Sequence, residues 1–434
     1  MSNPTESGET EAFLRASGIT CYEDLFVDLP DALAAQVVDP AVMSRRHYAA
    51  SVSSADGPVY LGAGFYDHNI SSAVDSLADE VEFRRVNASD GAALDDILAS
   101  AVHRFHRLVC QLAGTPAVDL SFYRSGDALS RACRLAVEAT GRKLIVAPET
   151  LPPERLALLR AHAAAGIVEL RVVPALKGLT NLESFYAILQ SERGRVAAAI
   201  APYPNYCGLL ERVGRLSDAT QEAGALFIMG VDPVALAILR SPADWGADLV
   251  AGDVHTTPLR KNDGDVRLGF VAASERFLAM APKNFLTCFV DSSGNYTYFL
   301  PRSFGGRASE FSGSPRKTRA IGALRTLIHL AGVRIQELRH VAEESHRIAT
   351  YARKRLRKAG FEFQHDAPFL REFAVKVDDP KGMLAYLDKW GLVGGVELSD
   401  GLLLAFTEKR CKEEINELAY FMKDYRDRAQ KDAT

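Results

Sequence analysis

The chain has 434 residues, 47% of them hydrophobic and 24% charged, with a formal net charge of −4. That composition can bury a sizeable core, the charge balance argues against a nucleic-acid or anionic-membrane surface, and no apolar run reaches the ~20 residues of a membrane span. The six cysteines are scattered without a Cys-x-x-Cys pair, so the expectation is a reduced, cytoplasmic chain without a zinc site.

The polar, acidic residues 1–10 read as a tail and carry no secretory signal pattern. Thr20 and Glu23 have capping-box spacing ahead of Leu25-Phe26-Val27, which predicts a short helix before Pro30. Apolar residues from Leu94 to Leu112 recur at helical spacing and stop at Gly114. Short apolar runs then alternate with amphipathic stretches. The runs are 144–146, 168–173, 196–201, 226–231, 249–251 and 268–272, and helices are expected at 153–165 and 182–192. Strands separated by helices imply a mostly parallel sheet covered on both faces.

Residues 281–318, rich in Gly, Ser and Pro, read as an irregular crossing segment. A long helical pattern spans 319–358. A smaller α+β unit follows, with strands expected at 361–363, 372–377 and 402–406 and a last amphipathic helix through Ile415, Leu418 and Met422. The expected division is an N-terminal helical segment (1–55), a large α/β domain (56–318) and a C-terminal α+β domain (319–434). This order fits the aspartate-aminotransferase type (fold type I) of pyridoxal-phosphate protein, although the pattern alone also allows other doubly wound folds.

Several strings carry a more specific signal. They are Tyr60-Leu61-Gly62-Ala63-Gly64-Phe65-Tyr66-Asp67-His68, Pro202-Tyr203-Pro204-Asn205-Tyr206-Cys207-Gly208, the apolar run ending in Asp232-Pro233, Gly246-Ala247-Asp248, and Thr407-Glu408-Lys409-Arg410. In this order they resemble subunit 1 of the two-subunit glycine dehydrogenase (decarboxylating), the P-protein of the glycine cleavage system, over nearly the whole chain. The resemblance implies an oligomer with a lysine-bearing P-protein β-type subunit. That partner would carry pyridoxal phosphate and pass an aminomethyl group to the lipoyl arm of an H-protein-like carrier.

A pyridoxal-phosphate enzyme needs a Schiff-base lysine, an acid facing the pyridine nitrogen and donors for the phosphate. Asp232 stands where fold type I places the acid. The lysine of the catalytic partner lies eight residues beyond the Gly-Ala-Asp motif, and that position here is Thr256. No cofactor is therefore expected to be bound covalently by this chain, and no catalytic residue is assigned. Lys261, in a polar loop, is the alternative Schiff-base lysine of a self-sufficient enzyme, and a non-catalytic scaffold is a third reading. Ser125-Gly126, opening a helix, are candidates for holding an anion, although Asp127 opposes a phosphate there.

The family's Tyr- and Pro-rich segment after Glu82-Phe83 is replaced here over 84–97, and its polar stretch near 305–322 is also rewritten. The resemblance therefore implies an intact scaffold with altered site chemistry. Tyr66, Asp67 and His68 are candidates for a substrate wall or subunit interface, and Tyr203 and Asn205 for a crevice after a strand. His103 and His106 could suggest a metal, but a surface face is the expected reading. The basic run 353–358 reads as a solvated helix face, with docking of an acidic carrier as the alternative. Nothing marks Cys207 as a nucleophile.

Overall fold

The structure, a computed structural model, describes residues 57–69, 104–122, 125–254, 268–280, 286–290, 296–299 and 333–432. The expected helix near Thr20, the rewritten segments 84–97 and 305–322, His103, Thr256 and Lys261 lie outside them.

The large unit is built on a sheet formed from β1 (Ala117–Phe122), β2 (Leu144–Pro148), β3 (Glu169–Val173), β6 (Val196–Tyr203), β7 (Leu226–Val231), β8 (Leu249–Val254), β9 (Leu268–Ala273), β10 (Leu286–Val290) and β11 (Tyr296–Phe299). Two short strands, β4 (Ala175–Leu176) and β5 (Leu179–Thr180), form a separate hairpin. The sheet order is β11-β10-β1-β9-β8-β7-β6-β2-β3. Pairings from β3 through β8 are parallel. β9 is antiparallel to both β8 and β1, and β10 is antiparallel to β1 and β11. Only β9 and β10 thus oppose the rest, and the sheet is mostly parallel in direction.

Helices cover both faces, which explains why β6 and β7 are unbroken apolar runs buried along their whole length. Successive residues of β2 enter opposite core layers, Leu144 and Val146 one, Ile145 and Ala147 the other. The first layer takes in the helical residues 104–113 (α1), α4 (Leu182–Ser191) and α5 (Val213–Glu222); the second takes in α2 (Ser125–Thr140) and α3 (Pro153–Ala164). Two shorter helices, α6 (Pro233–Leu236) and α7 (Glu275–Met280), follow β7 and β9.

The smaller unit contains α8 (Ile335–Lys358), β12 (Glu372–Lys376), α9 (Pro380–Lys389), β13 (Val396–Leu398), β14 (Gly401–Ala405) and α10 (Lys412–Asp432), with the antiparallel order β12-β14-β13. Its core joins Ile348 and Leu356 of α8, Phe373 and Val375 of β12, Leu402 and Leu404 of β14, and Leu418 and Met422 of α10. Residues 57–69 lie on this unit. Tyr60 is fully buried in its core, and its hydroxyl donates to the Glu414 carbonyl at 2.9 Å.

Several expectations need correction. The segment 281–318 is not wholly irregular, because β10 and β11 lie within it as a hairpin. β1 and β13 do not stand out in the sequence, because polar Asp119 and Ser121 interrupt the first and the second has only three residues. Phe363 forms only an isolated bridge to Val375 instead of a strand. α8 begins at Ile335, after the non-helical Val333 and Arg334, with the Arg334 N–H donating to Glu337, and the part of the 319–358 pattern before residue 333 lies outside the described residues. His106 is fully buried, not on a surface face, beside Phe105 and Val109 of α1 in the first core layer. The basic run is only partly solvated. Arg353 lies 4.8 Å from the centroids of both Phe363 and Phe369, and Arg355 donates to Asn416 at 2.7 Å, while Lys354, Arg357 and Lys358 are exposed.

Candidate active-site cleft

A small cleft of about 60 Å³ opens at the carboxyl ends of β6 and β7, where doubly wound sheets bind ligands. Asp232, directly after β7, is held by its own chain. It caps α6 by accepting the Val234 N–H at 3.0 Å, and Pro233 sets the first helical turn. Its other carboxylate oxygen accepts from Nη2 of Arg371. Arg371 immediately precedes β12 and its side chain is 3% exposed. The guanidinium stacks on the Tyr66 ring, 3.5 Å from the centroid. Its Nη1 lies 3.2 Å from His68 Nε2. An arginine can only donate, so Nε2 accepts and Nδ1–H donates to Glu408 at 2.7 Å. Four side chains, Glu408, His68, Arg371 and Asp232, thus form one line from the small unit across the cleft to the parallel sheet.

Glu372 makes the second wall. It is 2% exposed and accepts from the Tyr66 hydroxyl at 2.7 Å and from the Ala63 N–H at 2.8 Å. Burial pushes its carboxyl up to about 7, against the opposing pull of these two hydrogen bonds and of Arg371. Burial and the Glu372 charge likewise hold the Tyr66 phenol well above its usual range. Ala63 sits in the left-handed region, φ +57°, a cost for an alanine that the Glu372 bond helps to meet.

Asn205 follows the cis Tyr203–Pro204 peptide and is 3% exposed. Its amide donates to Glu211 at 3.0 Å and to the Gly178 carbonyl at 2.8 Å, and its oxygen accepts from the Cys207 and Leu209 N–H groups. Glu211 also takes the Thr150 hydroxyl at 2.7 Å and the Thr180 N–H. This network shapes the loop that lies against 368–370, where Leu210 N–H donates to the Pro368 carbonyl. Burial pushes the Cys207 thiol up to about 11, which keeps it protonated near neutral pH.

Tyr66, His68, Asn205 and Asp232 therefore line one cleft, together with Arg155, Tyr206, Arg371 and Glu372. Asp67 does not; it pairs with Lys409 at 2.7 Å and Arg410 at 3.0 Å, and its carbonyl accepts from Thr407. Tyr203 is buried in the core on the sheet side. Ser125 and Gly126 open α2. Sequence reasoning missed Arg371 and Glu372, and the one signal available was two adjacent charges opening an otherwise apolar strand.

Pyridoxal phosphate, which fold type I implies, does not fit these walls. Arg371 holds the Asp232 carboxylate, the cleft is well below the roughly 300 Å³ of small ligand sites, and no lysine is among its described lining residues. No group of three or more His, Cys, Asp or Glu side chains able to hold a metal occurs among the described residues. No described helix is long and apolar enough to cross a membrane.

Known proteins add an independent line. The sequence profile of the family "Glycine cleavage system P-protein" matches residues 4–422. The chain is 31% identical to "Probable glycine dehydrogenase (decarboxylating) subunit 1" of Syntrophomonas wolfei, covering 96% of this chain and 98% of that one. It is 30% identical to the protein of the same name from Chlorobaculum tepidum, covering 94% and 96%. Among solved structures, an inhibitor-bound glycine decarboxylase (P-protein) of the glycine cleavage system matches with TM-score 0.72 and 26% identity over 98% of this chain and 99% of that one. An alanine–glyoxylate aminotransferase from Nostoc sp. shares the fold alone, with TM-score 0.58 and 15% identity over 86% of this chain and 96% of that one.

Proposed function

The chain belongs to the glycine cleavage system P-protein family, and from that premise we propose that it is the subunit without a Schiff-base lysine in a two-subunit glycine-decarboxylating enzyme. The observation that carries this reading is the end-to-end likeness to subunit 1 proteins, together with Thr256 where the catalytic lysine is expected and Arg371 seated on Asp232. The partner is a lysine-bearing β-type subunit. Pyridoxal phosphate bound there supplies the electron sink for decarboxylation, and a lipoyl-bearing carrier accepts the aminomethyl group. The contribution of this chain is structural. The segment 57–69, clamped by Glu372 and by 407–410, presents Gly64, Tyr66 and His68 on a rigid wall.

Co-expression with the catalytic subunit tests the reading. A heteromer that survives size exclusion at micromolar concentration is expected, with decarboxylation dependent on both chains. Separation of the two chains would refute it. Borohydride trapping of the isolated chain with pyridoxal phosphate is expected to label no single lysine; one specific adduct, at Lys261 for example, would make the chain an enzyme in its own right.

A further inference from the structure

The cleft of this chain keeps the site of a bound planar cation but fills it from within. An acid that faces a protonated pyridine ring needs a planar, N–H-bearing cation as its partner. A guanidinium meets both conditions: it is flat, permanently charged, and donates N–H in its own plane while its face stacks on aromatic rings. Here Asp232 at the end of β7 accepts from Arg371 Nη2, and the Arg371 face lies 3.5 Å from the Tyr66 centroid. His68 Nε2 receives Nη1, so both terminal nitrogens are engaged. The remaining space, about 60 Å³, holds no ring with a phosphate.

The geometry points to Arg371 as a built-in plug. Its guanidinium takes the place of a pyridine-type ring over Asp232 and closes this chain's own cleft to pyridoxal phosphate. Occupation by a tethered side chain costs no association entropy, so a free ligand must displace an intramolecular one held at its other faces by Tyr66 and His68. This deepens the reading of a subunit without its own Schiff base, and it fails separately. A saturable cofactor site in the isolated wild type overturns the plug even if the chain assembles with a catalytic subunit.

The probe is pyridoxamine 5′-phosphate, whose amine cannot form imines with surface lysines, titrated into the purified full chain by calorimetry. The wild type is expected to show no saturable site. Arg371→Ala is expected to gain a one-to-one site at least about tenfold tighter than any binding to wild type, and adding Asp232→Asn to it is expected to remove the gain. Arg371→Gln, which keeps a polar head without the charge, serves as a second variant should the alanine variant fail to fold. In wild type labelled with ¹⁵N-arginine, the Arg371 guanidinium signals are expected to be unmoved by the probe. Saturable wild-type binding, displaced Arg371 signals, or no gain in a folded variant would each overturn the proposal.

Discussion

Arg371 and Asp232, separated by 139 residues, form an ion pair, the arginine buried and the carboxylate partly so, that ties the small antiparallel sheet to the carboxyl end of the parallel one. Removing one member leaves the other charged and poorly solvated, so Arg371→Ala is expected to cost about 3 kcal/mol. Asp232→Ala also loses a helix cap, adding roughly 1 kcal/mol. A double-mutant cycle by chemical denaturation separates the two contributions, and a coupling energy near zero would show that the pair does not join the units.

Glu372 makes stability fall as pH rises. Its carboxyl is raised by burial from about 4.5 in the unfolded chain to about 7 in the fold, so the folded state binds the extra proton between those values. The contribution is therefore fully present below pH ~4.5 and lost as pH climbs through about 7. At about 1.4 kcal/mol per unit this amounts to an order of 3 kcal/mol. Glu372→Gln keeps a hydrogen-bonding head for Ala63 and Tyr66 and is expected to flatten the stability curve between pH 5 and 7. Unchanged slopes in the two proteins would contradict this.

Asn205 answers Glu211, and the two substitutions at this position behave differently. Asn205→Ala leaves the buried Leu209 N–H and the half-buried Cys207 N–H without an acceptor and is expected to cost about 2–4 kcal/mol at any pH. N205D keeps those acceptors but puts a second carboxylate against Glu211. Its loss is expected to be larger at pH 7 and to recover on acidification, as one proton comes to be shared. Thermal melts at pH 5 and 7 distinguish the cases; equal losses at both values would remove the charge explanation.

Gly208 cannot carry a side chain. Its φ of +76° already favours glycine, and a Cβ would enter the Glu372 side chain and carbonyl. Gly208→Ala is expected to lose roughly 3 kcal/mol and to free the loop behind Asn205. Hydrogen exchange at Leu209 and Leu210, whose N–H groups bond to Asn205 Oδ1 and the Pro368 carbonyl, reads that release directly. Undiminished protection would show that the loop tolerates the added methyl.

Much of the frame was legible in the linear chain. The apolar runs of β2, β6, β7, β8 and β9 stood out because strands buried on both faces read as continuous hydrophobic stretches, whereas β3, a largely exposed edge strand, was legible from its valines alone. Asp232 was visible as an acid closing such a run. β10 and β11, in a stretch broken by Gly, Ser and Pro, and the bridge at Phe363 were misread because pieces this short depend on the strands beside them more than on their own residues.

The sequence by itself determined the order of the central apolar strands, the helices between them and the family, and it puts Thr256 where the resemblance expects a lysine, because periodicity and motif spacing are local properties. Only the tertiary structure decided what Asp232 does. Its partner comes from the far end of the chain, and no local pattern reveals that the arginine before β12 turns back across the cleft to lie between Tyr66 and the end of β7. The same holds for His68, a loop histidine in sequence and, in the fold, the link between Glu408 and Arg371. Charges are read in sequence as solvated until burial and a partner are known, and both are set by contacts between residues hundreds of positions apart.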